Sequence, residues 1–372
     1  MSTLEIEKTQ AQDEFIINVG PQHPSTHGVL RLILRMKGEF IKDLKPDVGF
    51  LHRAIEKIAE NRTYAQFMPF TDRIDYCASM PCNLAWVTAV EKLAKIEVPE
   101  RAQYLRVIMT ELNRIASHLI WLGTMSLDLG AFTPFLYAFR ERERILDLFE
   151  MTCGQRLTYN YMRIGGVSQE PPQEFYPKCK EFTQYFRKKV DDYEALLTYN
   201  PIFLSRTKDV AILPIDVGLN YGASGPTLRA SGHDWDLRKI HPYSSYDKFD
   251  FKAPLGTKGD VWDRYIVRIQ EMRQCCNIVD QAVEGLPEGP IKAKVPAVFK
   301  PKGEVFARIE APRGEMGYYI IADGTTKPYR VKIRTASFAH VQLLKYLAVD
   351  WKIADLVAIF GSLDIVLPEV DR

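Results

Sequence analysis

A chain of 372 residues is long enough for one large core or two intimately packed units. With 46% hydrophobic and 26% charged residues, and 49 basic against 47 acidic side chains for a net charge of +2, it is neither a disordered chain nor one whose charge calls for nucleic acid. No stretch approaches the roughly 20 apolar residues of a membrane helix, and the polar start MSTLEIEKTQAQDEF is unlike a secretory signal, so a cytoplasmic chain, free to dock on a membrane complex, is expected.

The first elements are strands. EFIINVG and GVLRLILRMKGEFIKDLKPD alternate apolar and polar residues about a turn at Gly38 and Glu39. Between them GPQHPSTHG, Gly20 to Gly28, forms a loop that Pro21 and Pro24 stiffen and Gly28 returns to the sheet. Helical periodicity takes over in RAIEKIAENRTYAQF and in TDRIDYCASMPCNLAWVTAVEKLAKI, the second interrupted or kinked near Pro81. VPERAQYLRVIMTELNRIASHLIWLG carries the clearest stripe, Leu105, Ile108, Leu112, Ile115 and Leu119, with Pro99 at its start. PFLYAFRERERILDLFEMTCG is a helix ending near Gly154, and PPQEFYPKCKEFTQYFRKKVDDYEALLTYN supplies another. After Pro201 the glycine-rich VGLNYGASGPTLRASGHDWDLRK predicts a structured loop. A long helix follows in VWDRYIVRIQEMRQCCNIVDQAVEGL, where Trp262, Ile266, Ile269, Met272, Cys276, Val279 and Val283 share a face. EVFARIEA, GYYIIADG and YRVKIRTA are strands, succeeded by two short helices and GSLDIVLPEVDR.

This order predicts an α+β fold, a central helical bundle with a small N-terminal antiparallel sheet and a C-terminal β region. The expected divisions are a leader at 1–13, a sheet with its loop at 14–48, a helical core at 49–290 and a β/α region at 291–372. There is no βαβ rhythm, no Walker motif and no glycine fingerprint for a dinucleotide, which disfavours a nicotinamide enzyme or an ATPase.

Several side chains could carry chemistry. His23 and His27 lie four apart, but a metal site needs a third or fourth ligand, and the other five histidines stand in unrelated contexts. A histidine titrating near neutrality could instead donate a proton to a reduced oxygen, or it could simply brace the loop. The six cysteines repeat no ligand spacing and read as structural. Tyr76, between Arg73 and Asp75 in TDRIDYCASM, could donate a hydrogen bond to a ligand carbonyl or be a structural tyrosine. Asp128, in the apolar MSLDLGAF just past the expected end of the long helix, calls for a partner, and a histidine is one solution. Arg53 stands near an expected helix start, where the macrodipole disfavours a cation. That suggests an external role facing an anion or a cluster.

Taken together, GPQHPSTHGVLRL, GFLHRAIEKIAENRTYAQ, TDRIDY, RVIMTELNRIASHLIWLG, RIGGV, SGPTLRASG, RIEAPRGE and GSLDIVLPEVDR resemble the 49 kDa, or D, subunit family of respiratory complex I, the proton-pumping NADH-quinone oxidoreductase. The H subunit of the chloroplast and cyanobacterial photosynthetic complex is similar. The resemblance implies descent from the large subunit of nickel–iron hydrogenases and a fold like it. Where that subunit carries two cysteine pairs, this chain has Asp75 and Ala78, then Val366 and Glu369. A nickel thiolate site is therefore rejected, and no metal is expected on this chain.

The resemblance also implies the site. His27 and Tyr76 would bind the quinone head group from two sides, and Asp128 would pair with His27, the three forming the catalytic set. Arg53 would lie beside the terminal 4Fe-4S cluster of the neighbouring B subunit, and His23 would frame the loop. Thr158, in RLTYNYMRIGGV, stands where many relatives carry a histidine near that cluster. The implied quinone is menaquinone, plastoquinone or ubiquinone; threonine has no imidazolium form, which implies a lower-potential cluster working with a lower-potential quinone such as menaquinone or plastoquinone.

The implied partners are the B subunit, the C subunit, the membrane-arm H subunit and other complex I subunits, with one copy of this chain per hetero-oligomer. Its implied place is the cytoplasmic side of the plasma or thylakoid membrane, as a peripheral protein active only within the complex. The short leader leaves no room for a fused C subunit. The alternatives are the same subunit fed by ferredoxin in a photosynthetic or related complex, a scaffold without chemistry, and a membrane hydrogenase subunit.

Overall fold

Alternating apolar residues in the first fifty positions build an antiparallel sheet of β1 (Glu5–Lys8), β2 (Glu14–Val19), β5 (Arg31–Lys37) and β6 (Phe40–Asp47), in the order β1-β2-β5-β6. The computed structural model describes residues 13–26, 28–296 and 298–372, with the backbone alone at 5–8. Strand β5 buries Leu32, Leu34 and Met36 on one face, the period-2 pattern of a half-buried strand. Its turn into β6 falls at Gly38, with φ +58°. The proline-rich loop between β2 and β5 closes as a miniature hairpin of β3 (Gln22–His23) and β4 (Gly28–Val29), Gln22 opposite Val29. Gly20 is required there, since a Cβ would collide with the carbonyl oxygen of Leu30.

The helical layer starts with α1 (Ile55–Glu60) and α2 (Tyr64–Thr71). Periodicity alone predicts one continuous run here. Instead Thr63 accepts the amide of Gln66 while the Gln66 side chain accepts the amide of Thr63, a capping box that begins a second helix. The next interruption lies before Pro81, at residues 72–78. Asp75 Oδ1 accepts the amides of Cys77 (3.1 Å) and Ala78 (3.2 Å), and α3 (Ser79–Ala94) begins only afterwards. Pro81 fits the first turn of α3, where its missing N–H costs nothing.

Helix α4 (Glu100–Asp128) is the axis of the molecule, buried along most of its length, and packs on α3, on α5 (Phe132–Cys153) and on later helices. It runs five residues beyond the stretch that carries its stripe, so Asp128 is its last residue rather than a position past its end. The strand pair β7 (Met162–Arg163) and β8 (Gly166–Val167) leads to α6 (Phe175–Tyr193), prolonged by a π turn over Glu194–Thr198. The glycine-rich region holds short helices, α7 (Pro201–Thr207), α8 (Ile215–Asn220), α9 (Gly225–Arg229) and α10 (Leu237–Ile240). Helix α11 (Val261–Glu284) then lies on α4 and α6; of its expected face, Ile269, Met272, Cys276 and Val279 are buried, while Trp262, Ile266 and Val283 are only half-buried at its rim.

The last third is a three-stranded antiparallel sheet, β9 (Lys302–Ala311), β10 (Gly314–Asp323) and β11 (Arg330–Arg334), with β10 central and α3 covering β9 and β10. Helices α12 (Ala336–Leu347), α13 (Ile353–Leu363) and α14 (Leu367–Asp371) complete it. The motifs SGPTLRASG and RIEAPRGE meet at their glycines, where a Cβ on Gly225 would strike Gly314. A buried ionic chain ties these parts to α4. Arg238 bridges Glu111 (3.2 Å) and Asp236 (2.7 Å), while Arg229 bridges Glu310 (2.7 Å) and Glu271, and Glu271 meets His118 (2.9 Å). Charges this deep persist only when paired.

Candidate functional site

The turn between α2 and α3 carries Tyr76. It is held from three sides: by the Asp75 carboxylate on its own backbone, by Ser79 Oγ donating to the carbonyl of Asp72 (3.0 Å), and by Ser79 Oγ reaching the carbonyl of Leu157 (3.2 Å). Asp72 Oδ1 also accepts the amide of Asn160 (3.3 Å). The segment from Leu157 to Asn160, with half-buried Thr158 in it, is therefore fastened along the Tyr76 turn. Burial pushes the Asp72 carboxyl up to about 6, against the pull of the Asn160 amide and Arg73. Tyr76 itself stays 40% exposed, and desolvation raises its phenol to about 12. At neutral pH it is a hydrogen-bond donor that keeps its proton.

On another side of this turn Arg53 donates to the carbonyl of Arg73 (2.5 Å), and Arg73 donates to that of Pro69 (2.6 Å). The two guanidinium groups line a recess of about 320 Å³ together with Ile55, Ile58, Pro69 and Phe70. Arg53 and Thr158, which sequence spacing alone could not relate, thus attach to one turn. Arg73, three positions before Tyr76 in sequence, shares the recess.

Beneath Tyr76 lies a group that sequence reading missed. Arg313 Nη1 bonds Asp75 Oδ2 (2.5 Å) and Ser117 Oγ (3.2 Å), and its other Nη meets Asp364 (3.3 Å). Glu369, 2% exposed, accepts a hydrogen bond from Ser337, and the amide of Val366 donates to the same Ser337 hydroxyl (3.2 Å). Two carboxylates thus share one guanidinium, and Glu369 lies within reach of the charges of both Asp75 and Arg313. Burial and then the charge of Asp75 lift Glu369 to about 7, while burial outweighs Arg313 to raise Asp75 as well. Arg313 stands in RIEAPRGE and Asp364 in GSLDIVLPEVDR, so the motifs held the signal, but it takes the fold to bring them together. Burial pushes the Cys77 thiol up to about 12 and that of Cys82 well above its ordinary value, so neither is a ready thiolate. Among the described residues no group of three or more histidine, cysteine or acidic side chains is arranged to hold a metal ion.

Asp128 reaches the same region from the end of α4. Its Oδ2 lies 3.9 Å from where a Cβ on Gly361 would stand, and Trp121 Nε1 donates to the carbonyl of Gly361 (2.7 Å). The turn Pro24–Thr26 of the opening loop packs on α13 too, and a Cβ on Gly28 would press on Leu367 of α14. His23 Nδ1 accepts the amide of Ser25 (3.2 Å), and Thr26 Oγ1 bonds the carbonyls of His23 (2.8 Å) and Gly28 (2.9 Å). His23 is thereby part of the loop's own frame. His27 lies outside the described residues, whereas the loop on both sides of it is seated against α13 and α14. The end of α13 is thus the hub: Asp128 and the loop touch the helix, and Asp364 just beyond it leads through Arg313 and Asp75 to Tyr76.

Among the described residues no helix is long and apolar enough to cross a membrane. A family model described as the 49 kDa subunit of respiratory-chain NADH dehydrogenase matches residues 128–302 and 296–372. The D subunit of the NADH-quinone oxidoreductase of Dehalococcoides mccartyi is 56% identical over 362 residues, 97% of this chain and 99% of that protein. The corresponding protein of Carboxydothermus hydrogenoformans is 53% identical, covering 98% and 99% of the two chains, and that of Bacillus anthracis 52%, covering 96% and 99%. The chain belongs to the 49 kDa, or D, subunit family of the respiratory-chain NADH dehydrogenase, as a quinone-reaction component of a multisubunit enzyme.

Proposed function

We propose that this chain, with its B-subunit partner, forms the pocket in which a quinone is reduced, and that Tyr76, His27 and Asp128 are its working side chains. The observation that carries the reading is the attachment of the Tyr76 turn, the Asp128 end of α4 and the opening loop to one hub at α13. Quinone becomes quinol by taking up two electrons and two protons. The electrons come from a 4Fe-4S cluster of the B subunit, and the donor to the complex, NADH or ferredoxin, acts on other subunits. Tyr76, a protonated phenol, donates a hydrogen bond to one carbonyl oxygen. His27 donates to the other, each of the two passes one proton to its oxygen and recovers it from solvent, and Asp128 restrains the His27 tautomer and takes up the charge change.

Arg53 and Thr158 lie on the cluster side, with Arg53 supplying a fixed positive charge and Thr158 none. The chain binds no metal itself in this reading. It would sit as a single peripheral copy on the cytoplasmic face of the membrane, between the B and C subunits and the membrane-arm H subunit. Its hydrogenase-like ancestry, and the division into leader, loop-bearing sheet, helical core and C-terminal β/α region, belong to the same proposal.

Tyr76→Phe and His27→Ala, each in the assembled complex, test it. Quinone reductase activity should fall at least tenfold while the cluster spectra stay normal. Full turnover in both variants would leave a scaffold role and refute the site.

A further inference from the structure

Arg53 reaches its recess on a segment without regular structure. Residues 48–54 form neither strand nor helix, Gly49 has φ +116° and Ala54 φ +54°. The local bond is a single turn, the amide of His52 donating to the carbonyl of Gly49 (3.0 Å). What holds this turn comes from the other end of the sequence. The Asp371 carboxylate accepts the amide of Gly49 on Oδ1 (2.8 Å) and that of Leu51 on Oδ2 (2.7 Å), and the Asp371 carbonyl lies 2.7 Å from His52 Nδ1. Asp371 is 9% exposed, and both its oxygens are spent on the turn. A carboxylate accepting two backbone amides makes a strong charge-assisted anchor.

The base of that anchor is firm. The carbonyl of Glu369 accepts Thr335 Oγ1 (2.8 Å), Arg372 donates to the carbonyl of Ile333 (2.6 Å), and its guanidinium lies 4.5 Å over the Phe338 ring. Helix α14 is thus bolted to β11 and α12. We infer that Asp371 is a positioning residue, whose carboxylate holds the Gly49–His52 turn so that Arg53 is presented at the recess it shares with Arg73. The inference rests on the proposed place of Arg53 on the cluster side of the site.

The experiment compares Asp371→Ala, Asp371→Asn and Arg53→Ala in the assembled complex by two readouts: hydrogen exchange at the Gly49 and Leu51 amides, and the reduction potential of the B-subunit cluster. Asp371→Ala should speed exchange at both amides at least tenfold. It should also lower the potential as Arg53→Ala does, by up to about tenfold in the ratio of reduced to oxidised cluster, which is about 59 mV for one electron. Asp371→Asn keeps one acceptor and should fall between, and it carries the comparison if the alanine variant does not assemble. Adding Arg53→Ala to Asp371→Ala should lower the potential no further. If Arg53→Ala shifts the potential and neither Asp371 variant does, the positioning role is overturned and the proposed function stands. If Arg53→Ala leaves the potential unmoved, the cluster-side place of Arg53 falls and this inference falls with it.

Discussion

Replacing Glu369 with glutamine makes the buried carboxyl group measurable. Its side chain is 2% exposed, and burial and the charge of Asp75 outweigh the downward pull of the Ser337 hydroxyl and of the Arg313 guanidinium, which is engaged by Asp75 and Asp364. Its pKa therefore rises from 4.5 to about 7. In the unfolded chain the group ionises near its ordinary value, so between these two values the folded state holds a proton that the unfolded state has released. Stability from this group is intact below pH 4.5 and is lost as pH climbs to 7. A rise of about 2.5 units at roughly 1.36 kcal/mol each sets the loss at about 3 kcal/mol. Glutamine is neutral at every pH and similar in shape, so Glu369→Gln should match the parent near pH 4.5 and exceed it by about 3 kcal/mol at pH 8. Denaturant unfolding of both proteins across this range, at fixed ionic strength, reads the difference directly. Parallel stability curves would refute the reasoning, for they would mean that Glu369 is ionised in the folded state at acid pH.

Other predictions test neighbouring parts of the molecule. Thr158→His, in the assembled complex, should raise the cluster potential and make it pH-dependent near neutrality, because an imidazolium adds a titrating positive charge; a redox titration at pH 6 and 8 decides this, and an unchanged potential contradicts the placement of Thr158. Glu91→Ala should cost about 3–5 kcal/mol in thermal or denaturant unfolding. It strips a buried Arg106 of its two-bond partner (2.6 and 3.0 Å) and removes the acceptor of the Gly165 amide (2.7 Å).

Much of the architecture was legible because it is written in local periodicity. The alternation of β5 and β6 about Gly38, the stripe of α4 and the buried face of α11 with Cys276 all follow from neighbours two to four positions apart. The breaks were harder to see. The capping box at Thr63 and Gln66 and the Asp75 bonds that keep 72–78 out of helix depend on single side-chain hydrogen bonds, which apolar spacing does not register. The short helices of the glycine-rich region were hidden by their composition.

At the site, local context marked Tyr76, Asp128 and Arg53 as candidates but left a structural role open beside each, since none carries a spacing that demands chemistry; their places, and Thr158 altogether, came through the family resemblance. Arg313 and Asp75 are 238 positions apart, and Asp371 meets Gly49 across 322. Such pairings exist only after the chain has folded. In sequence, the positions compared with hydrogenase cysteines read only as missing thiolates, whereas in the fold two of them, Asp75 and Glu369, are buried carboxyls whose charges act on each other.

The central claim, that quinone is reduced beside Tyr76 and the opening loop, is tested most directly by photo-crosslinking an azido-quinone in the turning-over complex and mapping the labelled peptides. Label is predicted on residues 72–79 and 20–28, displaced by excess substrate quinone. Displaceable label confined to other surfaces, such as the 590 Å³ recess beside Glu91 and Lys92, would contradict it.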